Sequence, residues 1–361
     1  MADPMLFTAT ALGAIPIANR IVMAPMTRNR AQADGRPSPM MTTYYAQRAS
    51  AGLIVSEMTQ IASTGVSYAN TPGIETAEQV ALWKQITDAV HAEGGRIVLQ
   101  IAHGGRISHP TLLGGATPVA PSAIRPAGET WTPLGLVPFE TPRELTGEEI
   151  MGLVRQFRTA AANARDAGFD GIELHAANGY LLDQFLRSGS NQRSDQWGGS
   201  VANRARFLID VIEATIAEWG PGRVGVRLSP FNPYNAMHDD APFTTFPDVA
   251  ALLDTLPLAY LHVNYGGGSP EDRERMQQLL RSAFHGPIIA NGGLDATSAE
   301  ALLEAHLAEA VAFGVPFLAN PDLPLRLSSG AELNLPDVPT FYQGGEKGYV
   351  DYPALSIEAT R

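Results

Sequence analysis

The feature that most constrains this chain is a rhythm. Short, largely apolar runs rich in β-branched residues alternate with stretches of helical spacing almost to the end. The runs are Ile21–Pro25, Leu53–Met58, Arg96–Ile101, Gly171–His175, Val224–Ser229, Tyr260–Tyr265, Pro287–Asn291 and Ala310–Phe313. Helices are predicted over Met40–Ala51, Ala77–Ala92, Glu148–Ala167, Val201–Trp219, Phe246–Leu253, Glu271–Ala283, Thr297–Leu303 and Pro316–Leu327. Nearly continuous apolar strands are those of a parallel sheet buried on both faces. Eight such units in 361 residues predict an α/β chain folded as one closed (β/α)8 TIM barrel spanning residues 1–361.

Local signals sharpen the helix ends. Thr146-Gly-Glu-Glu149 has the form of a capping box, and Asp166-Ala-Gly168 stops that helix on a glycine. Residues 5–20 are expected to cap one end of the barrel as an N-terminal closure. Two long βα loops follow strand C-termini: 104–145, rich in Pro, Gly and Thr, and 177–200, rich in Gly, Ser and Asn. Loops of that length in a compact domain usually carry function, and both lie on the face where barrels place chemistry. Phe341, Tyr342, Tyr349 and Tyr352 predict an ordered tail over 330–361.

Composition removes several function classes. The chain has no cysteine, which excludes disulfides, iron–sulfur clusters and thiol nucleophiles. Its formal charge of −12 disfavours nucleic acid and anionic membranes as partners. No stretch approaches the roughly 18–20 apolar residues of a membrane span. The opening MADPMLFTAT has neither a basic region nor an apolar core, so no secretory leader is expected. A cytoplasmic protein, monomeric or homodimeric, is the plain expectation. No metal site is expected: His103 with His109, and His238 with Asp239 and Asp240, lack convincing ligand spacing.

Four segments carry candidate chemistry. In Gly168-Phe-Asp-Gly-Ile-Glu-Leu-His175-Ala-Ala-Asn178-Gly-Tyr180, a strand ends at His175. If a helical turn follows, His175 and Asn178 share a face and hold one carbonyl oxygen as enolate charge develops. Tyr180 adds a phenol that stays protonated at neutral pH. In Leu99-Gln100-Ile-Ala-His103-Gly-Gly-Arg106, at the end of the third strand, Gln100 offers a donor and an acceptor to an imide edge. Arg227, amid apolar strand residues, requires an anionic partner, and a flavin N1/O2 edge or a carboxylate would serve. Thr27, in Ala24-Pro-Met-Thr27-Arg28, is placed to tune a cofactor edge. Ala290-Asn-Gly-Gly293 and Phe313-Gly314 follow strands seven and eight, where barrels often build a phosphate cup. Each has a plainer reading as a core histidine, a turn asparagine, a packing tyrosine, a strand-end cap or a tight turn. No Gly-x-Gly-x-x-Gly loop follows a strand, so no Rossmann dinucleotide site is expected. Two other barrels remain open at this point: one binding a phosphorylated metabolite without redox chemistry, and a flavin binder with little turnover.

These segments together resemble the old yellow enzyme family, in particular its bacterial ene-reductase branch. The matching text is Met23-Ala-Pro-Met-Thr-Arg28, Arg48-Ala-Ser-Ala-Gly-Leu-Ile54, Ser56-Glu57, Gly168–Leu186, Ser190-Asn-Gln-Arg-Ser-Asp195, Trp197-Gly-Gly-Ser200, Asn203-Arg204, Ala319-Asn-Pro-Asp322 and Gly348-Tyr-Val-Asp-Tyr-Pro353. The resemblance runs through nearly the whole chain. It implies an NAD(P)H-dependent flavin oxidoreductase that reduces the C=C bond of α,β-unsaturated carbonyl or nitro compounds. FMN would be the cofactor, NADPH or NADH the transient reductant, and small electrophilic alkenes the substrates. Pro25, Thr27, Met58, Gln100 and Arg227 would line the flavin ring, with Gly293, Gly314 and Val315 at its phosphate. His175 and Asn178 would clamp the substrate oxygen, Tyr180 would supply the proton, and Tyr68 and Tyr342 would form aromatic pocket walls.

Three positions depart from the family pattern. Val315 stands where an arginine usually grips the phosphate, which predicts weaker FMN retention. Ala102 replaces a bulky aromatic, which predicts a roomier pocket. Met58 stands where a small residue is common, which predicts crowding at the ring edge.

Overall fold

The computed structural model describes residues 4–355. Eight strands form the barrel: β1 Ile21–Met23, β2 Leu53–Val55, β3 Ile97–Ala102, β4 Gly171–His175, β5 Val224–Leu228, β6 Tyr260–Asn264, β7 Ile288–Asn291 and β8 Ala310–Phe313. Every neighbouring pair is parallel, and β8 pairs with β1 to close the ring. All eight predicted strands are therefore present, within a few residues at their ends. Their residues are buried almost without exception, which is why the sequence shows apolar runs rather than alternation.

Helices fill the crossovers: α1 Pro39–Ala46, α2 Ala77–Ala92, α3 Gly147–Asp166, α4 Leu181–Leu186, α5 Val201–Trp219, α6 Pro242–Asp254, α7 Pro270–Ala283, α8 Ala296–Glu304, α9 Val315–Ala319 and α10 Leu323–Ser329. The capping box before α3 is realised: Thr146 Oγ1 accepts from the Glu149 amide, and Glu149 accepts from the Thr146 amide. Where one helix was predicted over Pro316–Leu327, two form. Asn320 accepts the break, with its side-chain amide bonded to Pro316 O and Asn334 N bonded to its Oδ1. Pro321 follows, and a residue before proline avoids the helical region.

The floor of the barrel is closed by a hairpin, Thr10–Leu12 against Ile15–Ile17. Leu12, Ile15 and Ile17 pack among Val22, Leu53, Val98 and Ile289 inside the barrel. Fully burying each of these side chains contributes about 1.5–3 kcal/mol. The turn fits only because Gly13 has φ +59 and lacks a Cβ, which would lie 2.6 Å from Ala259 Cα and Gly222 O. With the floor plugged, the open end is the mouth at the strand C-termini.

The long loop over 104–145 holds an unpredicted hairpin, Glu129–Thr132 against Gly135–Pro138, which leads into buried Phe139. The tail is clasped by two arginines from the β1 loop. Arg28 donates to Phe341 O and Gly348 O, and Arg30 to the carbonyls of Thr340, Gln343 and Gly345. Tyr349 stacks on Tyr44 with ring centroids 4.1 Å apart. The part of the tail beyond 355 lies outside the described residues. Among those described, no helix is long and apolar enough to cross a membrane.

Candidate active site

Strand register assembles the centre of the site. His175 at the end of β4 pairs with Arg227 on β5, Arg227 with His262 on β6, and Glu173 on β4 with Gln100 on β3. In a closed barrel the inward positions of adjacent strands form layers, so these polar side chains face one another across the mouth. Glu173 is their anion. It accepts from Gln100 Nε2 and pairs with His262 Nδ1, each at 2.8 Å. Burial alone would raise its pKa. The contacts with His262, Arg227 and Gln100 outweigh that and hold the carboxyl below its usual range. Burial, partly offset by Glu173, lowers the pKa of His262, so His262 is a neutral ring donating Nδ1–H.

Arg227 is buried, and its only protein hydrogen bond among the described residues is to Asn291 Oδ1, at 3.1 Å. Its Nε has no partner, and no carboxylate lies within ion-pair distance of it among the described residues. The carboxylate alternative for Arg227 thus gives way to a guanidinium with spare donors. Gln100 spends one amide hydrogen on Glu173, so it offers a ligand less than a free glutamine would.

His175 is also buried, with Nδ1 unpartnered. Burial, then the nearby Arg227 charge and His262, push its pKa well below normal, so the ring is neutral. His175 and Asn178 do not share a helical face. The chain leaves β4 in a turn, Asn178 is left-handed at φ 56, and α4 starts only at Leu181. Asn178 is fixed instead by hydrogen bonds. Its amide donates to Ser229 Oγ, and its Oδ1 accepts from Asn232 at 2.7 Å and Asn264 at 3.4 Å. Its side-chain amide hydrogens are thereby turned away from those partners.

Tyr180 caps α4 with its ring 4.8 Å from that of His175. The turn before it is anchored by buried Asp183, which accepts from Gly179 N at 2.8 Å and from Arg187 Nε at 2.9 Å. Burial raises the Tyr180 pKa, so it carries its proton at neutral pH. Tyr180 belongs to a small cluster with Met58, Ala102, Ile107 and Phe139, against which Tyr68 packs. The expected pocket residues Met58, Ala102, Tyr68 and Tyr180 are thus brought together. Tyr342 is 64% exposed on the clasped tail, close enough for its charge state to bear on Tyr180.

Pro25 and Thr27 are half-buried beyond β1. Gly293, at φ +76, has open space where a Cβ would point, and Gly314 meets only Met26 Sδ at 3.7 Å. These two stretches leave room for a group to lie against backbone. Val315 opens α9 and is 45% exposed. Unpaired buried cation and imidazole, an amide on Glu173, and open glycine backbone together fit a flat heteroaromatic group with an anionic edge and a phosphate.

Sequence reasoning missed several residues. Glu173 and His262 were hidden inside runs read as apolar. Tyr234 and Asn235 sit in loops without periodicity, and Arg106 closed the Gln100 segment without a role; Arg106 donates to Ala236 O at 3.1 Å and Asn235 Nδ2 to Asn178 O at 2.8 Å. Asp239, expected in a solvated loop, is buried and accepts from Ser188 N, Ala241 N and Thr245 Oγ1.

Known proteins place this geometry. A probable flavin mononucleotide-dependent alkene reductase of Leishmania infantum is 42% identical over 350 residues, covering 95% of this chain and 96% of that protein. Morphinone reductase superposes with a TM-score of 0.94 at 46% identity, covering 100% of this chain and 99% of the other. One solved morphinone reductase complex holds tetrahydroNAD. The old yellow enzyme homologue from Zymomonas mobilis superposes with a TM-score of 0.95 at 42% identity, covering 98% and 100% of the two chains. Residues 5–334 match the NADH:flavin oxidoreductase / NADH oxidase family, and with a closed barrel and a mouth built for a flat, anionic-edged ligand, this chain belongs to that family.

Proposed function

We propose that this chain is a single-domain ene-reductase. It reduces the C=C bond of α,β-unsaturated carbonyl or nitro compounds, with FMN as cofactor and NADPH or NADH as reductant. The observation that carries the reading is the pairing, on adjacent strand ends, of two buried groups with unpartnered nitrogens, Arg227 Nε and His175 Nδ1. Buried donors are seldom left unmatched, and a flavin edge and an electron-withdrawing oxygen would match them. Bound FMN supplies hydride to the β-carbon of the alkene.

Pro25, Thr27, Met58, Gln100 and Arg227 line the ring in this reading, and backbone at Gly293, Gly314 and Val315 receives the phosphate. His175 and Asn178 hold the substrate oxygen and stabilise charge developing on it. Because His175 is neutral, it donates a hydrogen bond without surrendering a proton. Tyr180 gives its phenol proton to the α-carbon, and Tyr68 and Tyr342 wall the pocket. The flavin-directed groups favour this over a barrel that handles a phosphorylated metabolite without redox chemistry. Those groups share no purpose there.

The test separates the half-reactions. Tyr180→Phe should leave flavin reduction by NADPH or NADH intact and slow reoxidation by cyclohexenone by about 10²–10⁴, the range for a positioned general acid. An unchanged oxidative half-reaction in stopped flow removes Tyr180 as the acid.

A further inference from the structure

A general acid must be recharged in every turnover, and Tyr180 is poorly placed to take a proton straight from water. It is 6% exposed, and Met58, Ala102, Ile107 and Phe139 surround it. A substrate seated beside it would cover what remains. Its hydroxyl, however, donates to that of Tyr68 at 3.3 Å, and the Tyr68 hydroxyl lies 3.5 Å from that of Tyr234. Tyr234 is 55% exposed. Three hydroxyls therefore run in file from the interior of the site to solvent.

We propose that Tyr68 and Tyr234 form a proton relay that returns a proton from water to Tyr180 after each reduction. This rests on Tyr180 being the acid. As the Tyr180 O–H bond breaks and a C–H bond forms on the substrate, the Tyr68 hydroxyl swings round and gives its proton to the Tyr180 oxygen. Tyr234 then protonates Tyr68, and water protonates Tyr234. The water is left as hydroxide, which the buffer neutralises. Each hydroxyl both donates and accepts, as a phenol can, and no oxidant or reductant is needed. Burial disfavours a lingering phenolate at Tyr180 and Tyr68, so the shifts are coupled to the protonation step.

The loop that carries Tyr234 is built to hold it still. Asn235 and Ala236 both lie in the left-handed region, at φ 61 and 55. Non-glycine residues persist there only where the surroundings fix them. Arg106 binds the Ala236 carbonyl, Asn235 binds the Asn178 carbonyl, and Asn232 Oδ1 accepts from the Tyr234 amide at 3.0 Å. The turn that positions the substrate-facing Asn178 thus also positions the outer end of the relay.

The test uses FMN-loaded enzyme carrying Tyr234→Phe, which keeps the ring and removes one oxygen at an exposed position. At saturating enone, the oxidative half-reaction should slow roughly tenfold, less than the ~10²–10⁴ lost with a direct acid, because Tyr180 is still present. The dependence of the rate on solvent deuterium content, curved when several protons move together, should become less curved in Tyr234→Phe and linear in Tyr68→Phe, where only the Tyr180 proton moves. Tyr68→Phe should slow the oxidative half-reaction likewise, and flavin reduction should be unaffected in Tyr234→Phe. Without turnover, the ζ-carbon resonance of carbon-13-labelled Tyr68 should shift in Tyr234→Phe. An unchanged rate and unchanged deuterium dependence overturn the relay. A slower rate with unaltered deuterium dependence also overturns it, by assigning Tyr234 to substrate positioning. If Tyr180→Phe itself leaves reoxidation unaltered, it is the assignment of the acid that falls.

Discussion

Replacing Val315 by arginine should tighten FMN binding and leave riboflavin binding alone. Val315 is the first residue of α9, directly after Gly314, where an added Cβ would meet only Met26 Sδ at 3.7 Å. A guanidinium there would meet the phosphate proposed to lie against the β7 and β8 loops. A hydrogen bond to a charged group is worth about 1.5–3 kcal/mol. Val315 is 45% exposed, and solvent screens pairs at such positions. The gain is therefore put at about 1–1.5 kcal/mol, or roughly five- to twelvefold in Kd. Titrating apoprotein with FMN and with riboflavin, followed by quenching of flavin fluorescence, reads both constants. Riboflavin has no phosphate and should bind Val315→Arg and the parent equally. Equal FMN affinity in the two proteins would refute the reasoning, as would an equal gain for riboflavin. Sub-nanomolar FMN binding by the parent would show that the missing arginine costs nothing.

Three further outcomes follow from the geometry. Burial raises the Glu57 pKa to about 7, so the folded protein holds a proton there that the unfolded chain releases near its ordinary value. Stability from this group is full below about pH 4.5 and is lost as pH rises through 7, about 3 kcal/mol in all. Glu57→Gln should flatten urea-denaturation stability across that window, and an unchanged slope would defeat the assignment. Asp183→Ala strands the buried Arg187 and frees the Gly179 amide, so about 3–5 kcal/mol of stability should go; a loss under about 1 kcal/mol, the typical cost of an ordinary substitution, would contradict it. Ala102→Trp fills the small cluster around Tyr180 and should lower kcat/KM for large enones relative to small ones roughly ten- to hundredfold, from ~1–3 kcal/mol of overpacking. Equal effects on both series would show that Ala102 does not set pocket size.

The barrel was legible because each of its strands is buried on both faces and so wrote an apolar run. Short elements were not. α4 is six residues long inside a loop rich in Gly, Ser and Asn, and the hairpin at 129–138 has only four residues a side. At the site, His175, Arg227 and Gln100 were readable as polar residues near strand ends. Glu173 and His262 escaped because each is a single polar residue inside an otherwise apolar run, and only folding brings the two within 2.8 Å. Asn178 was named for a face it does not occupy. Three-residue spacing predicts a shared face only in a helix, and a left-handed residue breaks that geometry. Tyr234 lay in a Pro- and Asn-rich stretch where nothing but folding puts its hydroxyl beside that of Tyr68.

The clasp made by Arg28 and Arg30 has a consequence for how the molecule is finished during synthesis. Both arginines precede seven of the eight barrel strands, yet Arg28 and Arg30 take carbonyl partners more than three hundred residues later, at Phe341, Gly348 and Thr340. Contacts of that sequence separation form late. A nascent chain can therefore close all eight strands while the rim bearing Tyr342 is still missing. Until residues 340–348 emerge, two buried-to-be cations lack their carbonyl partners, so the rim bearing Tyr342 is fixed only after every barrel strand has been made.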